Sequence, residues 1–372
     1  METEEKKVIV ISGANLVTGG ALTIIQECVR YLNRYLSDEY IIYCLVHNVD
    51  SFKEFKNIKF LEFKAVRNSY FNRIKFEYFF CRKLSLKLKP YLWFSLNDMS
   101  SSSISEKRAV YCHNAAPFRK IVYSDLFFEP SLFLFTVFYK SLYRINIYKN
   151  NYIIVQQEWL RSIFMKTYNL PHHKIIVSPP KNEYYTGANI TPGNIESDTY
   201  TFFYPTFPRP FKNIEVIGKA IKILGQRKNL NFTVIITMDG TENRYSKYIV
   251  KRYGHLQGLR FIGLISKSEV YDLYNQTDCL LFPSKLESWG LPISEFKEYE
   301  RPIILADLTY ARETLGNYQK GVFFDADNPH QLADLMEQAI LNKISFNQNF
   351  QVVSEKPNAR SWKEVFDILL NS

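Results

Sequence analysis

Cysteine is scarce in this sequence and shows no pairing. The 372-residue chain has five, Cys28, Cys44, Cys81, Cys112 and Cys279, scattered and odd in number. No two have metal-ligand spacing, so neither a disulfide framework nor a cysteine metal site is expected, and a reducing cytoplasm is the setting they fit. Membrane-spanning runs are missing as well. The most apolar aromatic stretch, SLFLFTVFY at 131–139, is bounded by Glu129, Pro130 and Lys140, and it has about half the length a bilayer crossing needs. The opening METEEKKVIVISG runs acidic, basic, then apolar, which is not the pattern of a signal peptide. Acidic residues are the minority charge, 37 against 47 Lys and Arg, for a net charge of +10.

What the chain does have is core-forming material. Hydrophobic residues make up 46% and charged residues 23%, with 26 Tyr and 29 Phe. At this length two domains are expected, each able to bury a core of its own. Residues 1–180 hold 25 basic and 15 acidic residues, which leaves 47−25 = 22 and 37−15 = 22 for the remainder. All of the positive excess therefore sits in the first half. That suits anionic partners: phosphorylated substrates, a membrane surface or nucleic acid. No nucleic-acid-binding motif is present, so that partner is not expected.

Periodicity gives the fold class. KVIVIS at 7–12 is a continuous apolar strand, followed by a glycine-bearing loop. ALTIIQECVRYLNRYL then carries Leu22, Ile25, Val29 and Leu32 at helical spacing. Strand, glycine loop and helix open a doubly wound α/β domain. YIIYCLVH, IKFLEFK, YLWFSLND, RAVYCHN and NYIIVQQ read as further strands, and KIIVSPP at 174–180 closes the first half with a double proline. Residues 181–199 are polar, glycine- and proline-bearing and weakly periodic, the profile of a linker. The alternation then restarts with strands YTFFYP, FTVIITM, LRFIGLI, CLLFP and PIILA. Helices NIEVIGKAIKIL, KSEVYDLYNQ and PISEFKEYE are interleaved with them, and GVFFDA and the helix PHQLADLMEQAIL follow. The expected organisation is a Rossmann-like domain at 1–180, a linker at 181–199 and a second Rossmann-like domain at 200–355. An amphipathic helix at 356–372 is a candidate to pack back on the first domain. Two such sheets facing each other leave a central cleft at the carboxyl ends of their strands, where ligands bind in these folds.

The stretch LESWGLPISE, Leu286 to Glu295, follows the strand CLLFP. Pro292 suits the first turn of a helix. The backbone N–H groups near Gly290 and Leu291 then offer an anion site at the positive end of the helix dipole. Glu295 is expected in that first turn and Glu287 in the loop before it. A carboxylate accepts paired hydrogen bonds from vicinal hydroxyls, so two glutamates can hold two rings of one ligand. The plainer alternative is a helix with dipole-favoured acids at its start.

The run from FIGLISKSEVYDLYNQTDCLLFPSKLESWGLPISEFKEYERPIILADLTYARETLG to GVFFDADNPHQLADLMEQAI resembles the carboxyl-terminal domain of retaining GT-B glycosyltransferases of the large family four. The resemblance implies a GT-B fold and a retaining, metal-independent glycosyltransferase. Such an enzyme moves a sugar from a nucleoside-diphosphate donor to a glycan or lipid-linked acceptor, in a setting of bacterial surface polysaccharide synthesis. It further implies that Glu295 holds the nucleotide ribose, that Glu287 faces the donor sugar, and that Ser288, Trp289, Gly290 and Leu291 contact sugar or phosphate. Arg209 and Lys212, in FYPTFPRPFKNIEVIGKA, match the cations that clamp the diphosphate. There is one departure: the family commonly has Gly-Arg directly after that strand, where this chain has Tyr204-Pro205-Thr206. In the first half, Gly19 and Gly20 match a glycine turn near phosphate and acceptor, and His113 a histidine that supports the reacting centre.

No cofactor and no metal are expected. Asp325-Ala326-Asp327 resembles an Asp-x-Asp metal site but reads as a turn and cap before a helix, and His172-His173 reads as loop. The basic, aromatic stretches 67–90 and 118–144 suit a face on an anionic membrane and equally suit core helices with solvated charges. The enzyme would then lie in the cytoplasm or on the inner face of the plasma membrane. The alternatives are a sugar-nucleotide epimerase of the same fold and a non-catalytic nucleotide-sugar-binding protein.

Overall fold

The computed structural model of the chain describes residues 6–17, 19–119, 124–180, 190, 198–227, 230–346 and 354–371. The chain divides into two compact units, one of Met1–Pro117, Phe138–Lys181 and Ser354–Ser372, the other of Phe118–Val137 and Asn182–Val353.

The first unit is built on a seven-stranded parallel sheet. Its strands are β1 (Val8–Ser12), β2 (Ile41–Val46), β3 (Lys59–Glu62), β4 (Leu92–Ser95), β5 (Lys107–Cys112), β6 (Tyr152–Val155) and β7 (Ile175–Val177), in the order β3-β2-β1-β4-β5-β6-β7. The central strands are short apolar runs, VIVIS, LWFS and YIIV, buried but for the half-buried Val8 and Tyr152 that open β1 and β6, as a parallel sheet covered on both faces requires. β7 is the addition here: Ile175–Val177 pairs with Ile153–Val155 and extends the sheet by one strand. Helix Gly19–Tyr35 turns Ile24, Ile25, Cys28, Val29 and Leu32 into the core. Gly13, in the loop before it, packs closely on Ile25, whose Cδ1 an added Cβ would displace. Helix Trp362–Asn371 adds Val365, Phe366 and Leu369 to the same cluster. The Phe366 ring stacks on Tyr31 at 5.6 Å, and the Tyr91 hydroxyl and Lys107 Nζ both donate to the Leu370 carbonyl.

In the second unit six parallel strands follow the order β10-β9-β8-β11-β12-β13. They are β8 (Tyr200–Tyr204), β9 (Phe232–Ile236), β10 (Leu259–Phe261), β11 (Cys279–Phe282), β12 (Ile303–Ala306) and β13 (Gly321–Phe324). Aromatic rings fill one side of this core: Tyr274 meets Phe203, Phe296 and Tyr299 at centroid distances of 5.4–5.7 Å. Two helices beyond those expected cover the sheet, Arg244–Tyr253 and Thr309–Leu315. The first is announced by a capping box in which the Asn243 and Ser246 side chains serve each other's backbone N–H groups.

Two differences from the expected domain plan stand out. Phe118–Val137 clusters with the second unit and not with the rest of 1–180. Its anchor is aromatic, the Phe128 ring lying 5.5 Å from Tyr245 and 5.2 Å from Tyr248. Of the expected linker 181–199, only Ile190, Asp198 and Thr199 fall within the described residues.

Strand order also locates the places where a ligand can sit. In each sheet the chain builds outward in one direction and then in the other, and the loops diverge where the order reverses. That point lies between β1 and β4 in the first unit and between β8 and β11 in the second.

Candidate functional site

The loops leaving β8 and β11 flank the reversal point of the second sheet, and they carry most of the candidates. After β8, the Thr206 N–H donates to Thr237 Oγ1 (2.7 Å), whose hydroxyl donates back to Thr206 O (2.8 Å). Asn243 Nδ2 holds Pro208 O at 2.7 Å. The chain then makes a short 3-10 turn, Pro210–Lys212, and reverses at Asn213 with φ +55°. Asparagine tolerates that left-handed backbone. Its amide does more, donating to Pro283 O after β11 (3.2 Å) and to Ala326 O after β13 (2.8 Å). The Lys285 N–H closes the arrangement on Phe211 O at 2.7 Å. Three loop ends are thereby tied at one residue.

Within this frame Lys212 Nζ lies 2.5 Å from Glu287 Oε1, the two side chains only 17% and 16% exposed. Two phenols belong to the same neighbourhood. Tyr204 donates to Lys212 O and Tyr310 to Ser284 O. Burial first, and then the Glu287 carboxylate, push both hydroxyls well above the usual tyrosine range, so they act here as neutral donors. The cation and the carboxylate that the sequence singled out 75 positions apart are thus a contact pair.

Glu295 lies elsewhere than expected. The helix spans Leu291–Phe296 with Gly290 as its N-cap, so Glu295 is its fifth residue and the first turn holds no acid. The expectation counted from Pro292, but the left-handed Gly290 (φ +86°) starts the helix one residue sooner. A Cβ at Gly290 would lie 3.0 Å from Ile293 Cδ1, so both conformation and space favour glycine. The Gly290 and Leu291 N–H groups precede the first bond of the helix, Ile293 N–H to Gly290 O at 2.9 Å. Glu295 has partners of its own: Tyr274 donates to it at 3.2 Å and Lys267 Nζ stands at 3.9 Å. Burial raises its pKa above the usual carboxylate range, opposed by Lys267 and the tyrosine hydrogen bond. Trp289, half-buried just before the helix, donates from Nε1 to Ser294 Oγ at 2.6 Å. Ser288 and Leu291 are half-buried. Arg209 also takes a separate partner, donating from Nη1 to Glu129 Oε1 at 2.6 Å.

In the first unit, Gly19 opens its helix at φ +62°, where an added Cβ would meet nothing within 4 Å, and Gly20 beside it is exposed. His113 follows β5. Asp98, in the loop after β4, accepts the backbone N–H groups of His113 (2.8 Å) and Asn114 (3.1 Å), and its Oδ1 lies 3.5 Å from His113 Nδ1. Asp98 itself is at φ +69°. Sequence reasoning passed over it; the available signal was an Asn-Asp pair ending the strand YLWFSLND at the reversal point. Behind it lies a buried group. Arg73 donates to Asn97 O at 2.6 Å and the Asn97 amide donates to Glu77. Glu77 is delivered inward by a π-helical turn, Phe76–Phe80, a local irregularity found often at functional sites.

Asp325 and Asp327 do make a turn: Asp325 Oδ1 accepts the Asp327 N–H, Asn328 caps the following helix, and Asp327 pairs with Lys285. Among the described residues no three His, Cys, Asp or Glu side chains group as a metal site would need. His172 is in a 3-10 turn and not a plain loop. It lies 2.8 Å from the buried Arg161 and 3.2 Å from Glu355, and Arg161 in turn binds the Glu355 and Pro357 carbonyls. This group fastens the C-terminal segment.

Comparison with known proteins brings these features together. Residues 189–355 match the family described as Glycosyl transferases group 1. An O-antigen chain mannosyltransferase of Salmonella typhimurium is 22% identical over 243 residues, 62% of this chain and 66% of that protein, short of two thirds of its length. Two solved structures share the fold. A glycosyltransferase from Rickettsia africae has TM-score 0.66 and 16% identity, over 90% of this chain and 88% of that one. A lipopolysaccharide outer core galactosyltransferase has TM-score 0.62 and 14% identity, over 92% of each chain.

Proposed function

Since this chain carries a group 1 glycosyl transferase domain over residues 189–355, in a GT-B fold of two parallel-sheet Rossmann-like domains, we propose that it is a retaining, metal-independent glycosyltransferase of surface polysaccharide synthesis. It moves a sugar from a nucleoside-diphosphate sugar to a hydroxyl of a glycan or lipid-linked acceptor. The observation that carries this reading is the Lys212–Glu287 pair at the reversal point between β8 and β11. The names of the relatives point to the polysaccharide setting.

The chemistry follows from the charges. As the bond between the anomeric carbon and the phosphate oxygen breaks, negative charge grows on the diphosphate, and Lys212 and Arg209 are the cations assigned to it. The acceptor oxygen forms the new bond on the same face of the sugar, and its proton passes to the departing phosphate oxygen. Glu287 is assigned to the sugar hydroxyls, Glu295 to the ribose, and the Ser288–Leu291 backbone to sugar and phosphate. Gly19 and Gly20 are assigned to the approach of phosphate and acceptor, and His113, held by Asp98, to the donor sugar. The test is incubation with UDP-, GDP- and dTDP-sugars and lipid-linked acceptors in the presence of EDTA. A glycan product with the anomeric configuration of the donor is the expected outcome. Donor epimerisation, binding without turnover, or loss of activity with EDTA would each count against it.

No described helix is long and apolar enough to cross a membrane. The proposed partner surface is instead an anionic bilayer met by residues 67–90. There Tyr70, Phe71, Phe79 and Leu86 are 56–72% exposed and stand among exposed Lys75, Arg82, Lys83 and Lys87. Vesicles containing phosphatidylglycerol should co-float the protein at low salt. The Phe71→Ser, Phe79→Ser double variant should bind several-fold less, and equal binding to neutral vesicles would refute the surface.

A further inference from the structure

We infer that Glu129 is a positioning residue for Arg209, fixing the guanidinium that serves the donor diphosphate. The inference rests on the function proposed above. It starts from the departure noted in the sequence: the stretch directly after β8 is Pro205-Thr206, and the available arginine comes later, in a loop with extended backbone at φ −142°, ψ 153°. An arginine on such a loop is mobile unless something holds it.

The structure holds both ends of it. Its backbone is flanked by the Asn243 bond to Pro208 O and by Lys212 N–H donating to Arg209 O at 2.9 Å. Its side chain meets Glu129 at 2.6 Å, with the carboxylate 23% and the arginine 39% exposed. Glu129 can act as an anchor because its own segment is fastened to the second unit. Its N–H donates to Asp125 O at 2.7 Å. Phe128 packs on Tyr245 and Tyr248. The Arg244 guanidinium lies 4.6 Å over the Phe127 ring, and Arg119, paired with Asp125, lies 5.8 Å over Phe211. The anchor therefore touches the helix after β9 and the loop after β8 together.

The pair engages Nη1, and guanidinium offers five donors in a fixed fork. With two-fifths of the side chain exposed, one edge can stay on Glu129 while another meets phosphate. Burial raises the Glu129 pKa, Arg209 lowers it, Asp125 raises it and Arg119 lowers it. The opposite arrangement, a carboxylate occupying the phosphate position and competing with it, predicts the opposite sign in binding.

Isothermal titration of UDP, GDP and dTDP into the wild-type chain and into Glu129→Ala, Glu129→Asp, Arg209→Ala and the Glu129→Ala, Arg209→Ala double variant separates these cases, with thermal midpoints as the folding control. Expected are a roughly tenfold weaker Kd in Glu129→Ala, partial recovery in Glu129→Asp, and no further loss when Glu129→Ala is added to Arg209→Ala. Unchanged or tighter binding in Glu129→Ala overturns the inference, and so does an equal loss in both backgrounds. If Arg209→Ala alone binds normally, the assignment of Arg209 fails and the inference with it. If the wild-type chain binds no nucleoside diphosphate, the proposed function fails.

Discussion

Replacing Lys212 by methionine is expected to lower kcat/KM for the nucleoside-diphosphate sugar by about 10²–10³, the usual effect of removing one preorganised donor to developing charge. Two consequences of the substitution must be kept apart. One is the loss of a cation for the diphosphate. The other is structural: Glu287, 16% exposed, loses its 2.5 Å partner. Breaking a pair this sheltered is expected to cost about 1–3 kcal/mol, below the fully buried limit because both groups retain some water. The double variant Lys212→Met, Glu287→Gln removes the stranded charge, so it should recover thermal stability while activity stays low. Tyr204 and Tyr310 hydrogen-bond the carbonyls of Lys212 and Ser284, so the loops keep their frame in both variants. Full activity in Lys212→Met would remove this lysine from the reaction. Recovery of activity along with stability in the double variant would reduce the pair to a structural contact.

The second large effect is on stability against pH, and it centres on Glu77. Burial pushes its carboxyl up to about 7, against the pull of Arg73 and the Asn97 hydrogen bond. In the unfolded chain the group titrates near the ordinary glutamate value. Between those two values the folded state holds a proton that the unfolded state has lost, so stability falls as pH rises from about 4.5 to about 7 and is level above that. The span corresponds to about 3 kcal/mol from this one group. Glu77→Gln should abolish that part of the slope and leave the variant more stable than wild type at pH 8. Urea unfolding at intervals from pH 5 to 8 reads both. An unchanged slope in Glu77→Gln would show that the carboxyl is not buried as a neutral acid.

Much of the fold was legible because it is written locally. KVIVIS, YLWFS and CLLFP are short apolar runs of the length that suits a strand covered on both faces, and the helices between them repeat at helical spacing. Lys212 and Glu287 could be named from the resemblance of their motifs to the GT-B family, each lying in the loop beyond such a run. Their contact could not, since it depends on strand order. Glu295 was misplaced by a single-residue fact, the left-handed Gly290 that starts the helix early. Asp98 and Glu129 left no periodic trace. Each contacts a partner distant in sequence, His113 and Arg209, and an isolated carboxylate in a loop looks like any solvated charge. The allegiance of 118–137 was hidden likewise. A change of composition marks 181–199, whereas the segment around Phe128 continues the aromatic character of its neighbours and declares itself only by the rings it meets.

That allegiance bears on how such chains can be recombined. Because Phe118–Val137 is built into the later unit and Ser354–Ser372 into the earlier one, no single cut in the polypeptide releases either as a whole. A chimera that exchanges residues 182–353 with a relative would receive a foreign body and keep the native Glu129 and Phe128 against it. Graft boundaries should follow the interleaving, carrying 118–137 across with the donated half and leaving the last helix behind.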